Sequence, residues 1–143
     1  MNVKNILATK GGDIVGIEPN ADLAAAAQLL SKHRIGVVVI RGAGGRLAGI
    51  LSERDIVRAL AEHGPNALSV QVAKVMTRNV TTCAEDDSIA SIMEKMTAGK
   101  FRHMPVVAKG ELVGLVSIGD VVKQRLGEIE TESEQLRDYI RTA

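Results

Sequence analysis

Apolar positions change their spacing several times along this 143-residue chain, and the changes occur in the same order twice. Ile89, Ile92, Met93 and Met96 fall at i, i+3, i+4 and i+7, which predicts one face of a helix with Gly99 as its stop. Leu23, Ala26, Ala27 and Leu30 repeat the stripe with smaller residues. After each stripe comes a β-branched run, "IGVVVI" (35–40) and "HMPVVA" (103–108), then a glycine-containing turn and a second apolar run, "RLAGIL" and "ELVGLV". Each set reads as a β-hairpin leading into another helix. Ahead of the stripes, "DIVGIEPNAD" and "NVTTCAEDDS" pass from β-branched residues to helix-start signals, with Asn20 or Asp22 and Asp86 or Asp87 as expected caps. Val3, Ile6 and Leu7, then Val72, Val75 and Met76, form short lead-ins at about one helical turn.

The chain therefore reads as an internal duplication of a β-α-β-β-α unit, an α/β fold of the α+β kind. The expected divisions are repeat 1 at 1–64, a linker at 65–71, repeat 2 at 72–127 and a C-terminal helix at 128–143. Gly64, Pro65 and Asn66 supply the stop between halves. A half of about 60 residues buries little apolar surface alone, so the two sheets are expected to pack on each other about a pseudo-twofold axis. In the tail, Leu126, Ile129, Leu136 and Ile140 make a weak heptad seam, interrupted at Ser133 and loosened by Gly127. Such a helix either packs on a second copy, giving a homodimer, or remains a solvated terminal helix.

Composition narrows the function. The chain is 45% hydrophobic and 24% charged with a net charge of +1, so no global field recommends nucleic acid or an anionic membrane. One phenylalanine, one tyrosine and no tryptophan leave no platform for stacked bases. A single cysteine, Cys83, excludes an intrachain disulfide and fits a reducing compartment. The N-terminal apolar run is too short for a signal peptide and no stretch has the length of a membrane span, so the cytoplasm is the expected location.

The most specific signal is "GILSERDIV" (Gly49 to Val57), which returns as "GLVSIGDVV" (Gly114 to Val122) with serines and aspartates 65 residues apart. Ser52 with Asp55, and Ser117 with Asp120, have the spacing of a capping box. The same geometry suits a ligand, since a helix start offers N–H groups and partial positive charge to phosphate, while a carboxylate one turn in can accept ribose hydroxyls. Arg54, on a first helical turn, opposes the dipole there and is better explained by an anionic partner or by a salt bridge to Glu53 or Glu62. Neither serine has a partnered histidine, and no metal-ligand cluster or dinucleotide glycine motif is present; "GAGGRLAG" runs into a strand rather than a helix. No catalytic or metal site is assigned, and no catalytic cofactor is expected.

The order of elements, the doubled G-h-h-S-x-x-D pattern and "FRHMPVV" before the second hairpin resemble a tandem cystathionine-β-synthase (CBS) domain pair, or Bateman module, over roughly residues 3–127. The resemblance implies a stand-alone regulatory module that binds AMP, ADP, ATP, NAD(H) or S-adenosylmethionine in clefts between repeats, often as a homodimer, and acts on a partner of unknown identity. It implies Asp120 and Asp55 for ribose, and Ser117, Ser52, Arg102, His103 and Arg54 for phosphate. It implies an adenine pocket from Ile14, Val15, Gly36 and Val37, and from Val80, Thr81, Thr82, Cys83, Met104 and Pro105. His103 reads equally as an ordinary surface or half-buried histidine. The copies differ, since "HRIGV" lacks the histidine-proline of "RHMPV" and "SIGD" lacks the arginine of "SERD". Non-equivalent sites are expected, and the competing reading is a constitutive dimeric scaffold with vestigial clefts.

Overall fold

The computed structural model describes residues 1–142. Its elements run α1 (Val3–Lys10), β1 (Gly16–Ile17), α2 (Leu23–His33), β2 (Val37–Arg41), β3 (Leu47–Ser52), α3 (Glu53–His63), α4 (Ile89–Gly99), β4 (His103–Ala108), β5 (Glu111–Ser117) and α5 (Ile118–Thr142). This is the mixed α/β duplication expected from the alternating periods, with one reduction. The first strand of the second copy is a single parallel bridge between Cys83 and Val106.

The residues group into two compact units: 13–81 with 110–112, and 1–12 with 82–109 and the chain from Val113 onward. In the first unit the sheet order is β1-β2-β3, parallel then antiparallel, with Val37 opposite Ser52 and Gly16 opposite Val39. Asp22 caps α2 by accepting from the Ala25 N–H, as one of the two expected candidates. Leu23, Ala26 and Leu30 of α2 and Ile56 and Ala59 of α3 bury their apolar faces with Val38, Ile40 and Leu51 of the sheet.

The β4–β5 hairpin turns on Lys109 (φ 52) and Gly110 (φ 77), two left-handed residues as a type I′ hairpin turn requires. In the second unit the expected cap is corrected. Ser88, not Asp86 or Asp87, accepts from the first turn of α4, while the Asp87 carboxylate accepts from the Ala84 N–H and closes the turn before the helix. Gly99 is the last helical residue, and Lys100 takes the left-handed cap. Gly99 is small because a side chain there would collide with the Phe101 ring.

The lead-ins are exchanged relative to the sequence halves. Val3 and Ile6 of α1 are buried with Ile89, Ile92, Met104, Val116 and Val121, all from the second copy. Val72, which opens the second sequence repeat, is buried with Leu23, Val38 and Leu51 of the first. Divisions at 64/65 and 71/72 therefore do not delimit the compact units.

The glycine of the doubled motif seats these lead-ins. A Cβ on Gly114 would lie 2.6 Å from Leu7 Cδ2, and one on Gly49 would lie 2.6 Å from the Thr77 carbonyl oxygen and 2.9 Å from Met76 Sδ. Each lead-in crosses a strand where the strand has no side chain. Helix α5 continues without interruption past Gly127, so the expected division at 127/128 falls inside a helix.

Candidate functional site

Each unit presents one strand-to-helix turn built from the doubled motif. In the first unit the Ser52 N–H donates to Asp55 Oδ2 at 2.9 Å and the Asp55 N–H donates to Ser52 Oγ at 3.2 Å. In the second the Ser117 N–H donates to Asp120 Oδ2 at 2.9 Å and the Asp120 N–H donates to Ser117 Oγ at 3.2 Å. Both are the reciprocal bonds of a capping box, so the local reading of the spacing holds at both positions. The chain segment before the hairpin joins the turn in the same way each time. Gly36 carbonyl accepts from the Glu53 N–H at 3.0 Å, and Arg102 carbonyl accepts from the Ile118 N–H at 2.7 Å.

The structure thus brings Gly36 and Val37 to Ser52 and Asp55 in one unit, and Arg102 to Ser117 and Asp120 in the other. Arg54 and Arg102 are exposed, and Arg54 is in none of the ion pairs among the described residues, so neither expected salt bridge to Glu53 or Glu62 is made. His103 is half-buried at the start of β4. Ile14 and Val15 are half-buried ahead of β1, and the Val15 carbonyl accepts from the Val39 N–H. Val80 is half-buried, whereas Thr81 and Thr82 are exposed.

Three of the residues assigned to the adenine pocket are buried. Met104 is wholly buried in the apolar cluster of its unit, and Pro105 is buried beside it in β4. Cys83 is 5% exposed, its N–H donates to the Pro105 carbonyl, and its carbonyl accepts from the Val107 N–H. Burial, with the nearby Asp87 carboxylate, pushes the Cys83 thiol up to about 11, so it stays a protonated core group.

The two aspartates sit in different electrostatic surroundings. Asp55 is 7% exposed, and its nearest cation is Arg58 on the same helix, 3.6 Å from Oδ1. Asp120 Oδ2 receives three bonds: from the Ser117 N–H, from the Ser117 hydroxyl at 2.9 Å, and from Lys10 Nζ at 2.7 Å. Lys10 Nζ also donates to the Leu115 carbonyl at 2.8 Å. Burial by itself would raise the Asp120 carboxyl, but the Lys10 and Ser117 hydrogen bonds and the lysine charge hold it below its usual range.

Lys10 is the residue that sequence reasoning missed. Its one legible signal was its place as the basic residue in the last turn of α1, which the helix dipole alone explains. A depression of about 670 Å³ lies elsewhere, lined by Gly16 to Asn20 and Arg41 to Ala43. Because Arg41 ends β2 and Ser52 pairs with Val37 at its start, this depression is at the far end of the sheet from the motif. Among the described residues no group of three or more histidine, cysteine or acidic side chains is placed to hold a metal ion, and no helix is long and apolar enough to cross a membrane.

The pattern that defines the CBS domain matches residues 3–62 and again residues 72–127. The chain belongs to the CBS-domain family. The resemblance read from the doubled motif is thereby established, and so is the α+β class. This CBS pair is 44% identical to the CBS-domain containing protein ATU1752 of Agrobacterium tumefaciens, whose structure superposes with a TM-score of 0.85 over 87% of this chain and 92% of that one. It is 30% identical to protein PAE2072 of Pyrobaculum aerophilum, solved in complex with AMP, with a TM-score of 0.75 over 84% and 89% of the two chains. It is also 30% identical to the CBS pair of protein MJ0100, solved with 5′-methylthioadenosine and S-adenosyl-L-methionine, with a TM-score of 0.79 over 90% and 98%. Against curated relatives the chain spans 58% of the length of one and 20 to 22% of several others, which carry further sequence beyond the CBS pair.

Proposed function

We propose that this CBS pair is a regulatory module that binds an adenosine-containing ligand at its two serine–aspartate helix starts and signals occupancy to a partner protein. The observation that carries this reading is the reciprocal cap itself, made with the same two bond lengths in both units. The cap holds each aspartate side chain in one pose, so a ribose meets a carboxylate that has already lost its rotamer freedom. Oδ1, the oxygen outside the cap, takes the sugar hydroxyl, and the positive end of the helix with Ser52 or Ser117 and Arg54 or Arg102 meets the phosphate. His103 joins the phosphate contacts of the second site. Ile14, Val15, Gly36 and Val37 in one unit, and Val80, Thr81, Thr82, Cys83, Met104 and Pro105, supply the apolar wall and backbone contacts for adenine. Support comes from the relatives solved with AMP, 5′-methylthioadenosine and S-adenosylmethionine. No catalytic step is assigned to these residues, and the cytoplasm remains the proposed location.

Ligand binding to the folded state alone stabilises it by about 2.7 kcal/mol at a hundredfold excess over Kd. Thermal melting of the purified chain against AMP, ADP, ATP, NADH and S-adenosylmethionine is expected to show a rise of roughly 5–10 °C for at least one of them, at about 2–4 °C per kcal/mol for a chain of this size. No response across the panel would favour the constitutive scaffold.

The module is further proposed to act as a homodimer through α5. Val122, Leu126, Ile129, Leu136 and Ile140 are all exposed and lie at heptad spacing along a helix of 25 residues. Leu126→Asp combined with Ile129→Asp is expected to convert the dimer to monomer in light scattering while leaving the melting profile cooperative. A mass unchanged by the double substitution would remove α5 from the interface.

A further inference from the structure

The strongest observation beyond the capping bonds is that one aspartate holds a lysine from another helix, whereas the other has only an arginine of its own helix. Lys10 Nζ lies 2.7 Å from Asp120 Oδ2 and 2.8 Å from the Leu115 carbonyl, with the lysine side chain 38% and the aspartate side chain 25% exposed. Two of the three ammonium donors are therefore used, and one remains for solvent or ligand. The carbonyl anchor matters because it fixes the ammonium independently of the carboxylate. At Asp55 the corresponding cation is Arg58, which is 63% exposed, lies at 3.6 Å and comes from the same helix.

A carboxylate that grips ribose is a liability to a phosphate on the same sugar, because the like charges repel across the few ångströms of the ribose. A fixed ammonium on that carboxylate cancels the repulsion. Arg102, exposed and joined to the same turn through its carbonyl, is the further cation assigned to the phosphate. We propose that Lys10 is a specificity-determining residue of the Ser117–Asp120 site, selecting adenosine ligands that end in an anionic phosphate over those that end in a neutral thioether. The Ser52–Asp55 site, whose cation Arg58 is longer-range and more exposed, discriminates less. The inference rests on the nucleoside-binding reading and deepens it, naming the ligand class and the residue that sets it.

The test uses the full chain and compares AMP with 5′-methylthioadenosine, which has the same nucleoside and no phosphate. Binding is followed by NMR at the backbone amides of Ser117 to Asp120, which resolves this site from its counterpart at Ser52. Lys10→Met keeps the length of the side chain and removes the charge; Lys10→Arg keeps the charge. Lys10→Met is expected to weaken AMP about tenfold, close to the 1.4 kcal/mol that one partly exposed charge contact represents, and to change 5′-methylthioadenosine less than twofold. Lys10→Arg is expected to restore most of the AMP affinity. An AMP to 5′-methylthioadenosine ratio that is the same in Lys10→Met as in the wild type, with binding intact, overturns the inference alone. Failure of the wild-type chain to bind either compound overturns the nucleoside reading and this inference together. Lys10 is exposed at a helix end, and a melting curve of each variant shows whether the fold is retained.

Discussion

Asp120→Ala is expected to remove most of the ligand-induced rise in melting temperature, and Asp55→Ala combined with it is expected to remove the remainder. A hydrogen bond to a charged group contributes about 1.5–3 kcal/mol, so losing the carboxylate that takes the ribose hydroxyls costs at least tenfold in affinity and more if two hydroxyls are held. The alanine also deletes one arm of the helix cap, at about 0.5–2 kcal/mol, and leaves Lys10 without its ion-pair partner. The ligand-free melting temperature therefore falls as well, and the two effects need separating. Asp120→Asn does so, since an amide oxygen can still accept from the Ser117 N–H while the charge is gone. The expected pattern is a near-normal ligand-free melting temperature for Asp120→Asn with a reduced ligand response. A full response to AMP in Asp120→Ala would remove Asp120 from the ribose contact.

Gly49→Ala is expected to lower the melting temperature by roughly 10 °C, several times the effect of Gly114→Ala, although both replace the same glycine of the doubled motif. The reason is what the new methyl meets. At Gly49 it meets the Thr77 carbonyl oxygen at 2.6 Å, and Thr77 is tied to Ile50 by two backbone bonds, of 3.0 and 2.9 Å. Backbone held on both sides cannot yield without breaking those bonds, at about 1 kcal/mol each in addition to overpacking of about 1–3 kcal/mol. At Gly114 the methyl meets Cδ2 of Leu7, the tip of a side chain that can change rotamer at about 1 kcal/mol. Calorimetry of the two variants reads the difference directly. Equal losses would mean that the lead-ins do not pack on the glycines as described.

Much of this protein was legible in one dimension because its signals are local. The stripes of α2 and α4, the β-branched hairpins and the Ser-x-x-Asp caps depend on residues within one or two turns of each other, and period and spacing report such relations faithfully. Where a local signal misled, a neighbouring group competed for it. Ser88 took the cap assigned to Asp86 or Asp87 because Asp87 was already closing the preceding turn.

By itself, then, the sequence determined the duplication, the order of helices and strands, the family, and the two serine–aspartate turns. Tertiary structure alone decided which lead-in serves which unit, why the motif begins with glycine, and which aspartate receives a cation from another helix. Lys10 and Asp120 are 110 positions apart, and no periodicity or spacing rule links residues at that distance. Their meeting follows from the apolar face of α1, whose Val3 and Ile6 are buried in the second copy's core and carry the lysine to the carboxylate. Hydrophobic burial is non-directional and reads only area, so it can join any two matching surfaces of the chain; the charge pair that results is set by geometry that only the folded chain possesses.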